Sequence, residues 1–143
     1  MTMPTGVHAE TAGRLRAAVA RLSRMLRQQS VGDLTLTQWS ALVSVESHGT
    51  LRIGDLADIE HVSASTGTRL VASLEERGLL ERTGDITDRR SAYVSVTPAG
   101  MHVLEETRRM RTAQLALHLA TLSDDEVQRI QDVLPILEHL ADD

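Results

Sequence analysis

The 143-residue chain has no cysteine and no lysine. Without cysteine there is no disulfide framework, no thiolate metal site and no thiol-based redox switch, which excludes a thiol peroxide sensor. Every positive side chain other than histidine is arginine, a bias that a GC-rich genome explains without bidentate chemistry at each position. Aromatic residues are limited to Trp39 and Tyr93, so the stacking platforms of single-stranded nucleic-acid binders are missing. No stretch of about eighteen apolar residues occurs, and the start, Met1 to Gly6, lacks the basic and apolar regions of a signal peptide. The expectation is a cytoplasmic protein with no membrane partner. Catalytic constellations are equally scarce. There is no Gly-rich phosphate loop and no Gly-x-Ser-x-Gly elbow, and the adjacent acids Glu75-Glu76 and Glu105-Glu106 would project to different sides of a helix. His8, His48, His61, His102, His118 and His139 show no metal-ligand pairing at i, i+4. Neither an enzyme nor a bound metal or cofactor is expected.

What the chain does have is enough apolar residue, 41%, for the core of one ordinary domain, or of a small one with helical extensions. Its formal net charge of −5 argues against nucleic acid, but the distribution of charge carries more information than the sum. Near the start Arg14, Arg16, Arg21, Arg24 and Arg27 face a lone Glu10. Near the end Asp124, Asp125, Glu126, Asp132, Glu138, Asp142 and Asp143 face a lone Arg129. These oppositely charged ends read either as two helices able to approach one another, within or between subunits, or as two solvated faces.

Apolar positions Leu15, Ala18, Val19, Leu22, Met25 and Leu26 recur at helical spacing, predicting an amphipathic helix from His8 to Gln29. After a break at Gly32-Asp33, Thr37 is the candidate cap of a second helix through Trp39, Leu42, Val43 and Val45 to His48, ended by Gly49. A short third helix has Ile53, Leu56, Ala57 and Ile59 as its buried candidates. A turn at His61-Val62 leads to Ser63, which caps a fourth helix whose Gly67, Leu70, Val71 and Leu74 share a face. Two strands follow, "LLERT" and the alternating "SAYVSV", joined by the polar loop "GDITDRR". Thr97 and Pro98 open a long fifth helix to about Ala120. "SDDE" is a capping box opening a sixth, with Pro135 expected to kink it or break one hydrogen bond.

The short turn between the third and fourth helices is the organisation of a helix-turn-helix. The forty residues from His61 to Gly100 resemble the winged helix-turn-helix of the MarR family of transcription regulators. The resemblance lies in a Val-Ser turn, Thr-Arg-Leu-Val, Leu-Glu-x-x-Gly-Leu-Leu-x-Arg, and a wing Asp-x-Arg leading to Val-x-Val-Thr-x-x-Gly. It implies a mainly α fold with a small β-wing. Residues 1–34 would supply an N-terminal dimerisation helix, 35–97 the DNA-binding domain, and 98–143 a long helix and a C-terminal helix for dimerisation. Ser63, Ser65, Thr66, Thr68 and Arg69 match the recognition-helix positions. Short hydroxyls suit phosphate oxygens, and arginine suits either a guanine edge or a phosphate. Asp88, Arg89 and Arg90 match the wing, where an arginine oriented by Asp88 enters the minor groove.

The resemblance further implies a homodimer on a palindromic double-stranded operator, acting as a repressor and released by a small amphipathic or phenolic ligand. Trp39, Val43 and Met110 are the candidate cleft residues. One departure stands out: Gly67 occupies a core-facing position where the family commonly carries an aliphatic residue. It predicts either a locally soft helix or unusually close packing on its neighbour. The competing reading for the whole chain is a winged-helix interaction module that no longer reads DNA.

Overall fold

A computed structural model of the chain describes residues 5–28, 33–84 and 92–142. The elements are α1 (Val7–Arg27), α2 (Leu36–His48), β1 (Leu51–Arg52), α3 (Ile53–Ile59), α4 (Ala64–Glu76), β2 (Leu80–Thr83), β3 (Tyr93–Val96), α5 (Pro98–Leu119) and α6 (Asp124–Asp142). The order agrees with a mainly α winged helix, with one addition. Leu51 and Arg52 pair antiparallel with Val94 and Tyr93, so the sheet has three strands in the order β1-β3-β2 rather than two. Two residues are too few to show a strand period, so only pairing with a distant segment makes them a strand.

The helix starts follow from local chemistry. Ser63 accepts the Thr66 N–H, Thr97 accepts the Gly100 N–H with Pro98 in the first turn, and Ser123 and Glu126 form the expected reciprocal pair. The cap of α2 is Thr35, not Thr37. Thr35 accepts the Gln38 N–H while the Gln38 side chain accepts the Thr35 N–H, a two-way closure that Thr37, already inside the helix, does not make. Gly49 ends α2 at φ 75°, a left-handed conformation that disfavours a side chain. Helix α6 continues through Pro135.

One core sits among α2, α3, α4, the sheet and the start of α5. It is built from Ala41, Leu42, Val45, Leu51, Leu56, Leu70, Val71, Leu74, Leu79, Leu80, Val94 and Leu104. Ile59, expected inside, is exposed: it is the last residue of α3, which is capped at Glu60. All four predicted inward residues of α4 are buried. Gly67 resolves in favour of close packing: a Cβ built there would lie 2.8 Å from Ala57 Cβ on α3. Thus α4 is not soft at this point but pressed against its neighbour.

The Thr-Pro-Ala-Gly segment has a similar cause. Thr97 donates its hydroxyl to the Gly78 carbonyl at 2.6 Å, and its N–H donates to Leu79 O. This brings Gly100 so near the Leu79 carbonyl that a Cβ would collide with it and with Val96 Cγ1. The turn after α4, the end of β3 and the start of α5 are thereby locked together.

Helices α1 and α6 contribute no fully buried residue. Leu15, Val19 and Leu22 of the apolar stripe on α1 are exposed, and so are Ile130, Val133, Leu134 and Leu140, which recur at helical spacing along α6.

Candidate nucleic-acid interface

The recognition-helix candidates gather at the N-terminal end of α4. Ser63, Ser65, Thr68 and Arg69 are exposed, and Thr66 is half-buried. They form a linked set of polar groups rather than independent contacts. The Ser63 hydroxyl donates to Thr66 Oγ1 at 2.9 Å, accepts the Thr66 N–H at 3.2 Å, and lies 3.2 Å from Ser65 Oγ. Arg69 Nη2 in turn donates to Thr66 Oγ1 at 3.3 Å, across one helical turn. Thr68 donates its hydroxyl back to Ala64 O at 3.0 Å, leaving its oxygen as an acceptor at the surface. Ser63 is therefore first a cap. Thr66 is a hub, and the exposed guanidinium of Arg69 is steadied by it. The opposite face of α4 is fixed by Gly67 against Ala57, so the polar face is held by packing that tolerates little movement.

Two polar ties hold the far end of α4. Gln38 Nε2 donates to Ser73 Oγ at 3.3 Å and Arg77 Nη1 donates to Gln38 Oε1 at 3.3 Å, joining the cap of α2 to α4. Arg82 on β2 pairs with Glu75 at 2.5 Å. The wing candidates Asp88, Arg89 and Arg90 lie outside the described residues. Their flanking strands are in register, with Thr83 opposite Tyr93 and Arg82 opposite Val94.

The cleft candidates do not converge. Trp39 lines a groove of about 410 Å³ between α1, α2 and α5, with Ser23, Leu26, Arg27, Leu36 and Arg111. Val43 packs against the core, and Met110 is exposed without lining that groove. Sequence reasoning missed Arg27 and Arg111 here. The Arg111 guanidinium carbon sits 4.3 Å from the centre of the Trp39 ring. Burial, together with the charge of Arg27, pulls the Arg111 pKa below its usual value. The groove thus has an aromatic wall and concentrated positive charge. Its only sequence signal was arginine density on two helices, which does not say that they meet.

Helix α5 is also pinned to α2 by a bidentate ion pair: Arg108 Nη1 and Nη2 donate to Glu46 Oε1 and Oε2 at 2.8 and 2.5 Å. Among the described residues no group of three or more histidine, aspartate and glutamate side chains is placed to hold a metal ion, and no helix is long and apolar enough to cross a membrane.

Residues 34–92 match the MarR family. The chain is 35% identical over 136 residues to the uncharacterized HTH-type transcriptional regulator Mb0904 of Mycobacterium bovis, covering 94% of this chain and 95% of that protein. It is 29% identical to the HTH-type transcriptional repressor MdtR of Bacillus subtilis, covering 82% and 76%. A solved MarR family protein from Bacillus stearothermophilus superposes with a TM-score of 0.75 at 26% identity, covering 99% of this chain and all of that one. With its three-stranded sheet, its helix α4 capped by Ser63 and its likeness to these proteins, the chain belongs to the MarR family of winged helix-turn-helix regulators, DNA-binding proteins of transcription rather than enzymes.

Proposed function

We propose that this regulator is a homodimeric repressor in the cytoplasm that reads an inverted-repeat operator. In this reading α4 enters the major groove and the wing enters the adjacent minor groove. The carrying observation is the exposed hydroxyl and arginine set Ser65, Thr68 and Arg69, ordered by the Ser63 and Thr66 hydroxyls on a helix whose other face is clamped. Arg69 takes a base edge or a phosphate, and the smaller hydroxyls allow close approach to the DNA backbone. Asp88, Arg89 and Arg90 serve as the wing contacts.

Dimerisation by residues 1–34 and 98–143, on either side of the DNA-binding domain 35–97, is supported by the exposed apolar stripes of α1 and α6. A second copy would bury them and relieve exposed surface worth about 25 cal/mol per Å². A twofold dimer would set its two recognition helices about 34 Å apart, one turn of DNA. Repression is supported by the likeness to a named repressor, MdtR.

The groove of Trp39, Arg27 and Arg111 suits a small amphipathic or phenolic ligand in anionic form. Its position between α1, α2 and α5 would let an occupant alter the angle between the dimer helices and the DNA-binding domain. Release of DNA requires that the ligand bind the non-reading arrangement more tightly, since equal affinity shifts nothing.

The test is fluorescence anisotropy on the DNA upstream of the coding sequence, and on duplexes selected from a random library, with a salt titration. Arg69→Ala and Arg90→Ala should each weaken specific binding by roughly 1–3 kcal/mol; for Arg69, random-duplex binding is spared if it reads a base edge and falls in parallel if it holds a phosphate. Salt-independent binding, or indifference to both substitutions, would refute the reading.

A further inference from the structure

Helix α4 has two opposite faces. Gly67, Leu70, Val71 and Leu74 are buried, whereas Ser65, Arg69, Ala72 and Glu76 follow one another at helical spacing and are all exposed. This second row lies on the side pointing directly away from the core, and Thr66 and Thr68 stand to either side of it. Ser65 and Ala72 are short, which leaves Arg69 as the one long side chain of the row before its C-terminal end. There Glu76 places a carboxylate that phosphates repel, so the N-terminal half is the half that a duplex can approach closely.

The direction of the Arg69 side chain agrees with this. Long side chains on a helix lean toward its N-terminus. Arg69 Nη2 reaches back one turn to Thr66 Oγ1 at 3.3 Å, and the Thr66 oxygen is itself held by the Ser63 hydroxyl, which donates to it at 2.9 Å. The guanidinium is thereby stationed over the first turn of α4, the part of a recognition helix that meets base edges.

A helix lying in a major groove turns the middle of its outward face to the groove floor, where base edges are exposed, and its flanks to the sugar-phosphate walls. We propose that Arg69 reads the O6 and N7 edge of a guanine on that floor, and that Thr66 is its positioning residue rather than a DNA contact. The proposal rests on the groove assignment made under the proposed function and decides between the base and the phosphate left open there. The bond to Thr66 does not use up the pair of donors that guanine requires. Nη2 carries two hydrogens, one forming a fork with Nη1 at the tip and the other a fork with Nε along the side. Whichever of them Thr66 accepts, the other fork stays complete for O6 and N7. Holding the guanidinium before DNA arrives reduces the rotamer entropy lost on binding.

The experiment measures binding to a duplex selected from a random library for wild-type affinity, and to an unrelated duplex of equal length. Each guanine of the selected duplex is replaced in turn by 7-deazaguanine, which lacks the N7 acceptor but still pairs with cytosine. Wild type should lose roughly tenfold in affinity at one guanine of each half-site, and Arg69→Ala should be indifferent to the same replacement. Arg69→Ala should weaken binding to the selected duplex roughly tenfold to a hundredfold, with a much smaller effect on the unrelated one. Its slope of log affinity against log salt should hold, whereas loss of a phosphate contact makes the slope shallower by about 0.9. Thr66→Val should cost several-fold when Arg69 is present and nothing in the Arg69→Ala background, and Thr66→Ser should restore wild-type binding. Thermal melts in the absence of DNA separate these effects from misfolding, and the 7-deazaguanine series on wild type needs no variant.

A parallel loss on both duplexes with a shallower slope in Arg69→Ala would make Arg69 a phosphate contact and overturn the proposal. So would a wild type indifferent to 7-deazaguanine at every guanine. Thr66→Val costing as much in the Arg69→Ala background as in wild type would overturn the positioning role. If wild type selects no duplex even at low salt, the groove assignment itself fails and the guanine reading fails with it.

Discussion

Replacing Gly67 with alanine tests the close packing of α4 against α3. On helix propensity alone the change should stabilise α4 by about 1 kcal/mol. The structure opposes this. A Cβ at position 67 falls 2.8 Å from Ala57 Cβ, where carbon atoms rest at about 3.5–4.0 Å, so α3 and α4 must part by roughly 0.7–1.2 Å. Ala57 is buried and its Cβ has no rotamer by which to withdraw, so the backbone itself has to move. Overpacking of this kind costs about 1–3 kcal/mol, leaving a net loss of up to about 2 kcal/mol.

The assay is urea denaturation at fixed protein concentration, since self-association would make stability concentration-dependent. The decisive quantity is the coupling with Ala57→Gly, which removes the opposing methyl. Each single change carries its own propensity effect, but the clash exists only when both methyls are present. The double variant should therefore recover about 1–3 kcal/mol relative to the sum of the singles. In a thermal melt 1 kcal/mol amounts to about 3 °C for a chain of 143 residues. A Gly67→Ala protein more stable than wild type, with coupling below about 0.5 kcal/mol, would show that the α3–α4 contact is loose.

Two further outcomes follow from the same geometry. Gly100→Ala should be more damaging than Gly67→Ala, costing about 3 kcal/mol or more in the same denaturation assay, because the new methyl meets the Leu79 carbonyl and Val96 rather than one methyl. Glu46→Gln should cost at most about 1 kcal/mol at neutral pH, since Arg108 is 47% exposed and solvent screens the pair. Hydrogen bonding from Arg108, opposed by burial and aided by its charge, holds the Glu46 carboxyl below the usual carboxylate range. A depressed folded pKa means that the contribution is complete above that range and is lost as pH falls through the folded value. The stability difference between wild type and Glu46→Gln should therefore vanish in acid, and a difference that grows as pH falls would contradict the assignment.

Where the determining forces are local, the sequence was enough. Ser63, Thr97-Pro98 and Ser123 with Glu126 start helices through hydrogen bonds that span three residues, and the burial of Leu70, Val71 and Leu74 follows from a helical period. The exposed set around Arg69 was legible for the same reason. Misplacing the α2 cap at Thr37 instead of Thr35 was a choice between two nearby hydroxyls that only the Gln38 side chain decides.

What the tertiary structure alone decided are contacts between distant residues. The strand at Leu51-Arg52 exists because β3 lies beside it. Trp39 meets Arg111 only because α2 crosses α5, which also leaves Val43 in the core and Met110 outside the groove. In Gly67 the sequence supplied an anomaly with two opposite meanings, softness or close approach. Ala57, ten positions earlier on another helix, settled it, because steric contact depends on distance in space and not on separation along the chain.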